Sequence, residues 1–167
     1  MKIFRFILIN IVLLFFVVMA VSLFIPSHVR ISRAINMAAK PAVVLDAIND
    51  INKWQNWYPG FDTLKPEALQ TDNGRWIAAK TSGTTYTLKE RTADEVIVVV
   101  SSGKRRTITS GWKAITYDHT DSLTVQWYLD FKLRWYPWEK LSSLVYDQRY
   151  GPGMEKGLQN LKKLTEH

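Results

Sequence analysis

Residues 33–59 read RAINMAAKPAVVLDAINDINKWQNWYP, and the apolar period changes within this stretch. Apolar and polar residues alternate across residues 28–37, and a period of two predicts a strand. Pro41 then stands where a first helical residue is favoured, and apolar residues follow it at helical spacing. Trp54 and Trp57 continue that apolar face. The stretch therefore predicts a strand that runs directly into two short helices.

The chain beyond this stretch changes character twice. Between residues 62 and 131, turn residues such as Asn73-Gly74 and Ser82-Gly83 recur roughly every ten positions. The Thr-, Val-, Ile-, Tyr- and Trp-rich runs between them predict about six antiparallel strands. After Pro137 the helical period returns. The order predicts an α+β fold with helices packed on one face of a curved antiparallel sheet.

The predicted closing helix contains Gly151-Pro152-Gly153. Proline lacks an N–H, and glycine costs backbone entropy on ordering, so this tripeptide predicts a kink or a break. Two readings follow. In the first, a hinge joins two separate packing units, residues 137–150 and 154–165, and moves when a cavity fills. In the second, the kink is fixed and fits a curved sheet.

The N-terminal segment has a different composition from the rest. Residues 6–25 contain no charge, and Asn10 and Ser22 are their only polar members. A helix of twenty residues spans about 30 Å, which is the hydrocarbon thickness of a bilayer. Lys2 and Arg5 precede the run. This pattern predicts a single transmembrane helix.

A cleaved signal peptide is the alternative, since it shares the short basic start. The apolar run is too long for a typical signal core, however, and its small-x-small site at residues 20–22 lies inside the run. We therefore expect a membrane anchor over residues 1–27 and one domain over residues 28–167. Basic residues flank the run in nearly equal numbers, so the rule of positive charge on the cytoplasmic side does not decide the sidedness.

Composition excludes several classes of protein. Of the 167 residues, 47 % are hydrophobic and 13 % aromatic, which excludes a disordered chain or a collagen-like repeat. The chain contains no cysteine, which excludes a disulfide scaffold, a thiolate metal site and a cysteine nucleophile. The formal net charge is +7, but apart from the run Lys104-Arg105-Arg106 the basic residues are dispersed along the chain, and this argues against nucleic-acid binding.

Both ends of the predicted domain resemble the START-like or polyketide cyclase/dehydrase superfamily, also called SRPBCC. Asp50, Trp54, Trp57 and Pro59 are similar to the family's D-x-x-x-W-x-x-W-x-P stretch, and residues 154–164, MEKGLQNLKKL, resemble its closing helix. The resemblance implies a helix-grip fold, in which a sheet of about seven strands wraps around a long C-terminal helix. It also implies an apolar cavity between sheet and helix. Members bind lipids, sterols or polyketides there, and a minority catalyse cyclisation or hydrolysis.

Strand alternation places an aromatic set on the inward face of the sheet, and such a face suits a flat or chain-like apolar ligand. The alternative is that the rings simply fill the core. The candidate cavity residues, which include two charged residues on apolar faces, are Trp54, Trp57, Tyr86, Leu88, Trp112, Trp127, Leu129, Arg33 and Glu90.

Arg33 and Glu90 require partners, because a lone buried charge is costly. One interpretation is a structural ion pair, formed by the two with one another or with Asp50. The other is a polar anchor for the head group of a ligand.

The sequence offers little support for catalysis. Its histidines, at positions 28, 119 and 167, form neither a triad with a serine and a carboxylate nor a metal-ligand spacing. We therefore predict no catalytic residues, no metal and no cofactor. The predicted partners are a bilayer, contacted through residues 6–25, and a hydrophobic small molecule or lipid. A polyketide cyclase-like or hydrolase-like enzyme using the same cavity is the alternative.

Trp135, Tyr136 and Trp138 form a dense aromatic cluster, flanked by Arg134 and Lys140, where the last strand meets the closing helix. Two interpretations remain open for it. The rings pack in the core under the helix, or they form a patch that enters the head-group layer, where Trp and Tyr are favoured.

Overall fold

The computed structural model describes residues 2–61, 63–103, 106–117 and 122–166. The element order confirms the predicted strand, two short helices, six strands and closing helical region. The elements are α1 (Lys2–Leu23), β1 (His28–Met37), α2 (Pro41–Asn49), a 3₁₀ helix (Ile51–Asn56), β2 (Glu67–Asp72), β3 (Arg75–Thr81), β4 (Thr84–Arg91), β5 (Glu95–Ser102), β6 (Arg106–Thr116), β7 (Leu123–Lys132), α3 (Pro137–Ser143) and α4 (Tyr146–Thr165).

Seven antiparallel strands form one sheet in the order β1-β7-β6-β5-β4-β3-β2. The first strand therefore pairs with the last, from His28 opposite Lys132 to Met37 opposite Leu123. The helix α4 packs against β1, β7 and α2, which gives the helix-grip arrangement. Its buried face includes Met154, Gly157, Leu158 and Leu161. The fold class expected from the sequence is confirmed.

The turns between neighbouring strands form where the sequence predicts them. Asn73 and Gly74 have φ angles of 49° and 79°, and Ser82 and Gly83 have 40° and 84°. Positive φ at both central residues matches the right-handed twist of the two strands that a tight hairpin joins.

The helix α1 is long and apolar enough to cross a membrane, and almost all of its side chains are exposed. A signal sequence passes the same test of length and composition. The end of α1 contacts the rest of the protein: the buried Lys140 side chain of α3 donates from Nζ to the Ser22 carbonyl at 3.2 Å. A cation is favoured at the C-terminal end of a helix, where carbonyl groups lack partners.

The sequence predicts a kink or a break at Gly151-Pro152-Gly153, and the break is wrong, because α4 runs through all three residues as one helix. Pro152 lies in the second turn and is exposed. Because proline has no N–H, the carbonyl of Gln148, four residues earlier, lacks its helical partner, and Gln148 is exposed too. Water can satisfy that carbonyl, so the proline does not end the helix. The interruption occurs earlier, at Leu144 and Val145 between α3 and α4. Residues 137–150 and 154–165 are therefore not two packing units.

Arg33 of β1 fixes α4 on the sheet through two ion pairs. Its guanidinium bonds Asp147 at 2.9 Å and Glu155 at 2.7 Å, and the two carboxylates lie two helical turns apart. An ideal Cβ on Gly151 would lie 2.4 Å from Arg33 Nη2, so the glycine leaves the space that the guanidinium occupies. The bond from Arg33 lowers the pKa of the Asp147 carboxyl.

Two glycines of α4 differ in their surroundings, and alanine substitution should separate them. A Cβ at Gly157 would lie 2.6 Å from Cζ3 of the Trp127 ring and 3.0 Å from Pro59 Cδ, whereas a Cβ at Gly153 meets nothing within 4 Å. We expect Gly157→Ala to lower the free energy of unfolding by about 1–3 kcal/mol, as overpacking does. Gly153→Ala should raise it by up to about 1 kcal/mol, since alanine favours a helix.

Urea unfolding of the full chain in nonionic detergent, followed by tryptophan fluorescence, measures both glycine variants. A shift of the same sign in the two would contradict the close approach of α4 to Trp127.

The ion pairs of Arg33 should give stability that depends on pH. The pKa of Asp147 is lowered in the folded state, so the pair contributes above the carboxyl's ordinary pKa and is lost as pH falls through the lowered value. We expect Arg33→Gln to lower the urea midpoint at pH 7 and the difference from the wild type to shrink at acid pH. Arg91→Gln, an exposed arginine at the end of β4, is the control. A difference in urea midpoint between the wild type and Arg33→Gln that stayed constant with pH would exclude a charge interaction.

Candidate ligand-binding site

The 3₁₀ helix places Trp54 and Trp57 beneath the sheet. Asp50 begins this helix, and its Oδ1 accepts from the backbone N–H groups of Asn52 and Trp76, both at 3.1 Å. The indole N–H of Trp54 donates to the Ile48 carbonyl at 2.8 Å. The indole N–H of Trp57 donates to the Ala47 carbonyl at 3.2 Å. The end of α2 therefore satisfies both indoles inside the core.

The predicted cavity aromatics contact one another. Trp112 and Trp127 are neighbours on β6 and β7, and their rings stack with centroids 5.2 Å apart. Trp54 meets Trp112 at 5.2 Å and Tyr86 at 5.8 Å. Trp57 meets Trp127 at 6.3 Å. Such contacts between closely packed rings are those of a core in which side chains fill the space.

These aromatic side chains are nearly inaccessible to solvent. Trp54 and Trp112 are 0 % exposed and Tyr86 is 8 % exposed, and its burial raises the pKa of the Tyr86 hydroxyl. The Trp127 N–H donates to Ser110 Oγ at 2.8 Å. The Trp112 Nε1 has no hydrogen-bond partner among the described residues. Leu129 is buried beside this aromatic core and Leu88 is half-buried.

The predicted inward position of Glu90 is wrong. A register shift lies between Leu88 and Glu90, so that Leu88 pairs with the buried Val98 and Glu90 pairs with Ile97. The extra residue of a bulge moves the side chains that follow to the opposite face of a strand. Glu90 is accordingly exposed.

Arg33 was expected to pair with Glu90 or Asp50, or to anchor a ligand. It forms a structural ion pair, as one interpretation held, but with Asp147 and Glu155. The partners lie on the closing helix, more than a hundred residues along the chain, and strand alternation gives no information about them.

A cavity of about 520 Å³ lies at the other end of α4, between the ends of β6 and β7 and the two last helices. We call it the α3 cavity. None of the nine residues predicted for the cavity lines it. Its lining is Thr107, Ile108, Phe131, Lys132, Leu133, Arg134, Trp138, Glu139, Ser142, Val145, Tyr146, Arg149 and Tyr150.

The apolar part of the α3 cavity centres on Phe131. The Phe131 ring lies 4.7 Å from that of Tyr146 and 5.1 Å from that of Tyr150, measured between centroids. Ile108 pairs with Phe131 across β6 and β7 and lines the same wall. The two tyrosines stand one helical turn apart at the start of α4, so they share one face of that helix.

Basic side chains also line the α3 cavity. Arg134 donates to Glu139, from Nε to Oε1 at 2.8 Å and from the backbone N–H to Oε2 at 2.9 Å. Lys132 and Arg149 are exposed, and the Arg149 guanidinium lies 5.8 Å from the Tyr150 ring centroid. The lining carries three cations and one carboxylate, so its formal charge is positive.

Sequence reasoning missed this end of the fold, although a signal was present. Alternation along β7 places Phe131 on the face of Trp127 and Leu129, and Tyr146 and Tyr150 have i, i+4 spacing. Following the inward face to the end of the last strand would have found Phe131, and the i, i+4 spacing would have found the two tyrosines. Of the two interpretations of the 135–138 cluster, packing in the core under the helix is wrong for its tryptophans, because Trp135 is 66 % exposed and Trp138 is 63 % exposed.

The described residues contain no group of three or more His, Asp or Glu side chains that could hold a metal ion. His28 is exposed at the start of β1, whereas His119 and His167 lie outside the described residues.

The fold resembles solved structures at low sequence identity. A protein from Chromobacterium violaceum matches with a TM-score of 0.56 and 15 % identity, over 85 % of this chain and 99 % of that one. A START superfamily protein from Mycobacterium smegmatis matches at 0.50 and 14 %, over 78 % and 97 %. The di-domain ARO/CYC StfQ of the steffimycin biosynthetic pathway matches at 0.56 and 12 %, over 83 % of this chain and 51 % of StfQ.

None of the curated proteins matches the chain in sequence. The family model described as polyketide cyclase / dehydrase and lipid transport matches residues 28–166, from the first residue of β1 to the end of α4. With the seven-stranded sheet and the closing helix in place, and with this match over most of its length, the chain belongs to the polyketide cyclase/dehydrase and lipid transport family.

Proposed function

We propose that the domain binds an amphipathic small molecule of the lipid class in the α3 cavity and that α1 anchors it in a membrane. The observation that carries this proposal is the cavity itself, whose volume of about 520 Å³ lies within the usual range of small-molecule sites. It lies between sheet and helices, where members of the superfamily hold their ligands. The packed tryptophan core at the other end of α4 supports the fold.

The lining supports a ligand with two chemically different ends. The rings of Phe131, Tyr146 and Tyr150 offer apolar surface to a chain or a flat ring system. Lys132 and Arg149 offer positive charge to a carboxylate or phosphate head group. An anionic amphiphile fits both features.

The proposed tether depends on α1 remaining in the mature chain. Its 22 residues reach about 33 Å as a helix, enough to cross a hydrocarbon core of roughly 30 Å. Lys140 holds the last turn of α1 against α3, so the helix docks on the domain.

Membrane integration can be tested on the full chain expressed in cells. We expect the protein to stay with the membrane fraction after carbonate extraction and to keep the intact mass of all residues, because an apolar span partitions into lipid. A mass that lacks the N-terminal segment would support a cleaved signal peptide. Release by carbonate without cleavage would exclude an integral anchor.

Ligand binding can be tested with a diazirine-bearing fatty acid added to the full chain in nanodiscs. After illumination, we expect labelled peptides to include Phe131 and the start of α4. Ile108→Trp fills the cavity and should lower this labelling about tenfold, which corresponds to roughly 1.4 kcal/mol of binding free energy. Ile115→Trp is the matched control, since it lies on the same strand but on the opposite face of the sheet.

Labelling of α1 by probe dissolved in the bilayer is the internal reference in this experiment. Equal labelling of Phe131 peptides in the wild type and Ile108→Trp, or labelling confined to α1, would contradict binding in the α3 cavity. Recovery of a chemically altered probe would favour the alternative, an enzyme that uses the same cavity.

A further inference from the structure

Residues 133–140, which include the start of α3, lie beside the C-terminal end of α1. The Leu133 N–H donates to the Ser27 carbonyl at 2.8 Å, and His28 pairs with Lys132. Lys140 reaches the Ser22 carbonyl in the last turn of α1. Contacts on both sides of Pro26 therefore hold residues 133–140 beside the end of the apolar helix.

This position has a defined depth if α1 spans a bilayer. A helix of 22 residues is about 33 Å long, and the hydrocarbon core is roughly 30 Å thick, so the last turn lies at the boundary with the head groups. Because α3 contacts that turn, α3 lies at the same boundary.

The segment 134–145 exposes large apolar side chains at this level. Trp135 and Trp138 are 66 % and 63 % exposed, and Leu144 and Val145 are 67 % and 54 % exposed. The Tyr136 ring stacks on that of Trp138 with centroids 4.8 Å apart and contacts Trp135 at the same distance. Exposed apolar patches of this kind mark a contact surface, and Trp and Tyr are the residues favoured at a membrane interface.

We propose that segment 134–145 rests in the interface of the bilayer that α1 spans, so that the α3 cavity opens towards lipid. Trp138 and Val145 belong both to this exposed patch and to the cavity lining. A ligand can therefore pass between bilayer and cavity without crossing bulk water. This proposal rests on the proposed anchoring by α1 and deepens the proposed binding, since it assigns the ligand to the lipids of the same membrane.

A phospholipid surface fits this patch in charge as well as in apolarity. Lys132 and Arg149 are exposed at the cavity, and basic residues beside a membrane helix are attracted to anionic head groups. The patch continues the lipid-contacting surface of α1, whose last turn α3 touches. A second copy of this chain covering the patch is the competing arrangement.

Spin labels can measure the depth of the patch, because the natural chain has no cysteine and each variant then carries one thiol. Leu144→Cys and Val145→Cys place a nitroxide on segment 134–145. Leu69→Cys, a leucine of β2 that is 55 % exposed, is the matched control, and Leu13→Cys reports α1 itself. The full chain is placed in nanodiscs of phosphatidylcholine and phosphatidylglycerol. Collision rates with oxygen and with a water-soluble nickel chelate are then measured by power saturation.

We expect the labels at positions 144 and 145 to show a several-fold higher ratio of oxygen to nickel collisions than the label at position 69, because oxygen concentrates in lipid. Position 13 should show the highest ratio. Ratios at 144 and 145 equal to that at 69, with position 13 in lipid, would overturn the interfacial position while leaving the anchor in place.

Two other outcomes would contradict the proposed position of the patch. A water-exposed label at position 13 would overturn the anchor and the interfacial position together. Dipolar broadening between labels at position 144 would show that a second copy covers the patch. Photolabelling of the Phe131 peptides reports binding in the cavity independently of the spin labels. If segment 134–145 were exposed to water while the cavity was still labelled, this inference would be wrong and the proposed binding would stand.

Discussion

The contact of Gly157 with the Trp127 ring sets how closely α4 approaches the sheet. Because the glycine has no side chain, the helix backbone lies directly over the ring, which in turn stacks on Trp112. About two and three turns earlier, the same helix carries Tyr150 and Tyr146, whose rings contact that of Phe131. A glycine against Trp127 and tyrosines against Phe131 give the two halves of α4 different contacts with the sheet. One end is a packed core, and the α3 cavity lies at the other.

The architecture was accessible from the sequence because period, turn residues and proline positions all act locally. The alternation before Met37, Pro41 at the start of α2 and the Asn73-Gly74 turn each predict an element that the structure contains. The bulge after Leu88 could not be seen in this way, since an extra residue is defined by its partner strand. The interruption at residues 144 and 145 has neither glycine nor proline to mark it. Pro152, where the sequence predicts a kink or a break, does not end the helix and lies on the solvent side of α4.

The site was harder to predict than the fold. Strand parity identifies which side chains point inward, but rings that fill a core and rings that line a cavity have the same parity. Trp54, Trp112 and Trp127 fill the space by contact with one another, and no property of each residue alone shows this. The cavity depends on how α3 and α4 lie against the ends of two strands. That arrangement rests on distant pairs such as Arg33 with Glu155 and Lys140 with Ser22.

The hydrogen bond from Lys140 to the Ser22 carbonyl has a geometric consequence for α1. This hydrogen bond joins the last turn of the helix to α3, so the number of residues between Asn10 and Ser22 sets the direction in which Asn10 faces, measured around the helix axis from that contact. Each residue added or removed between Asn10 and Ser22 would turn Asn10 by about 100° around the axis, because a helix has 3.6 residues per turn. Asn10 is the one polar side chain in the middle of this helix, and its N–H already bonds the Phe6 carbonyl at 2.8 Å. The length of α1 therefore determines the direction, around the helix axis, in which the Asn10 side chain faces.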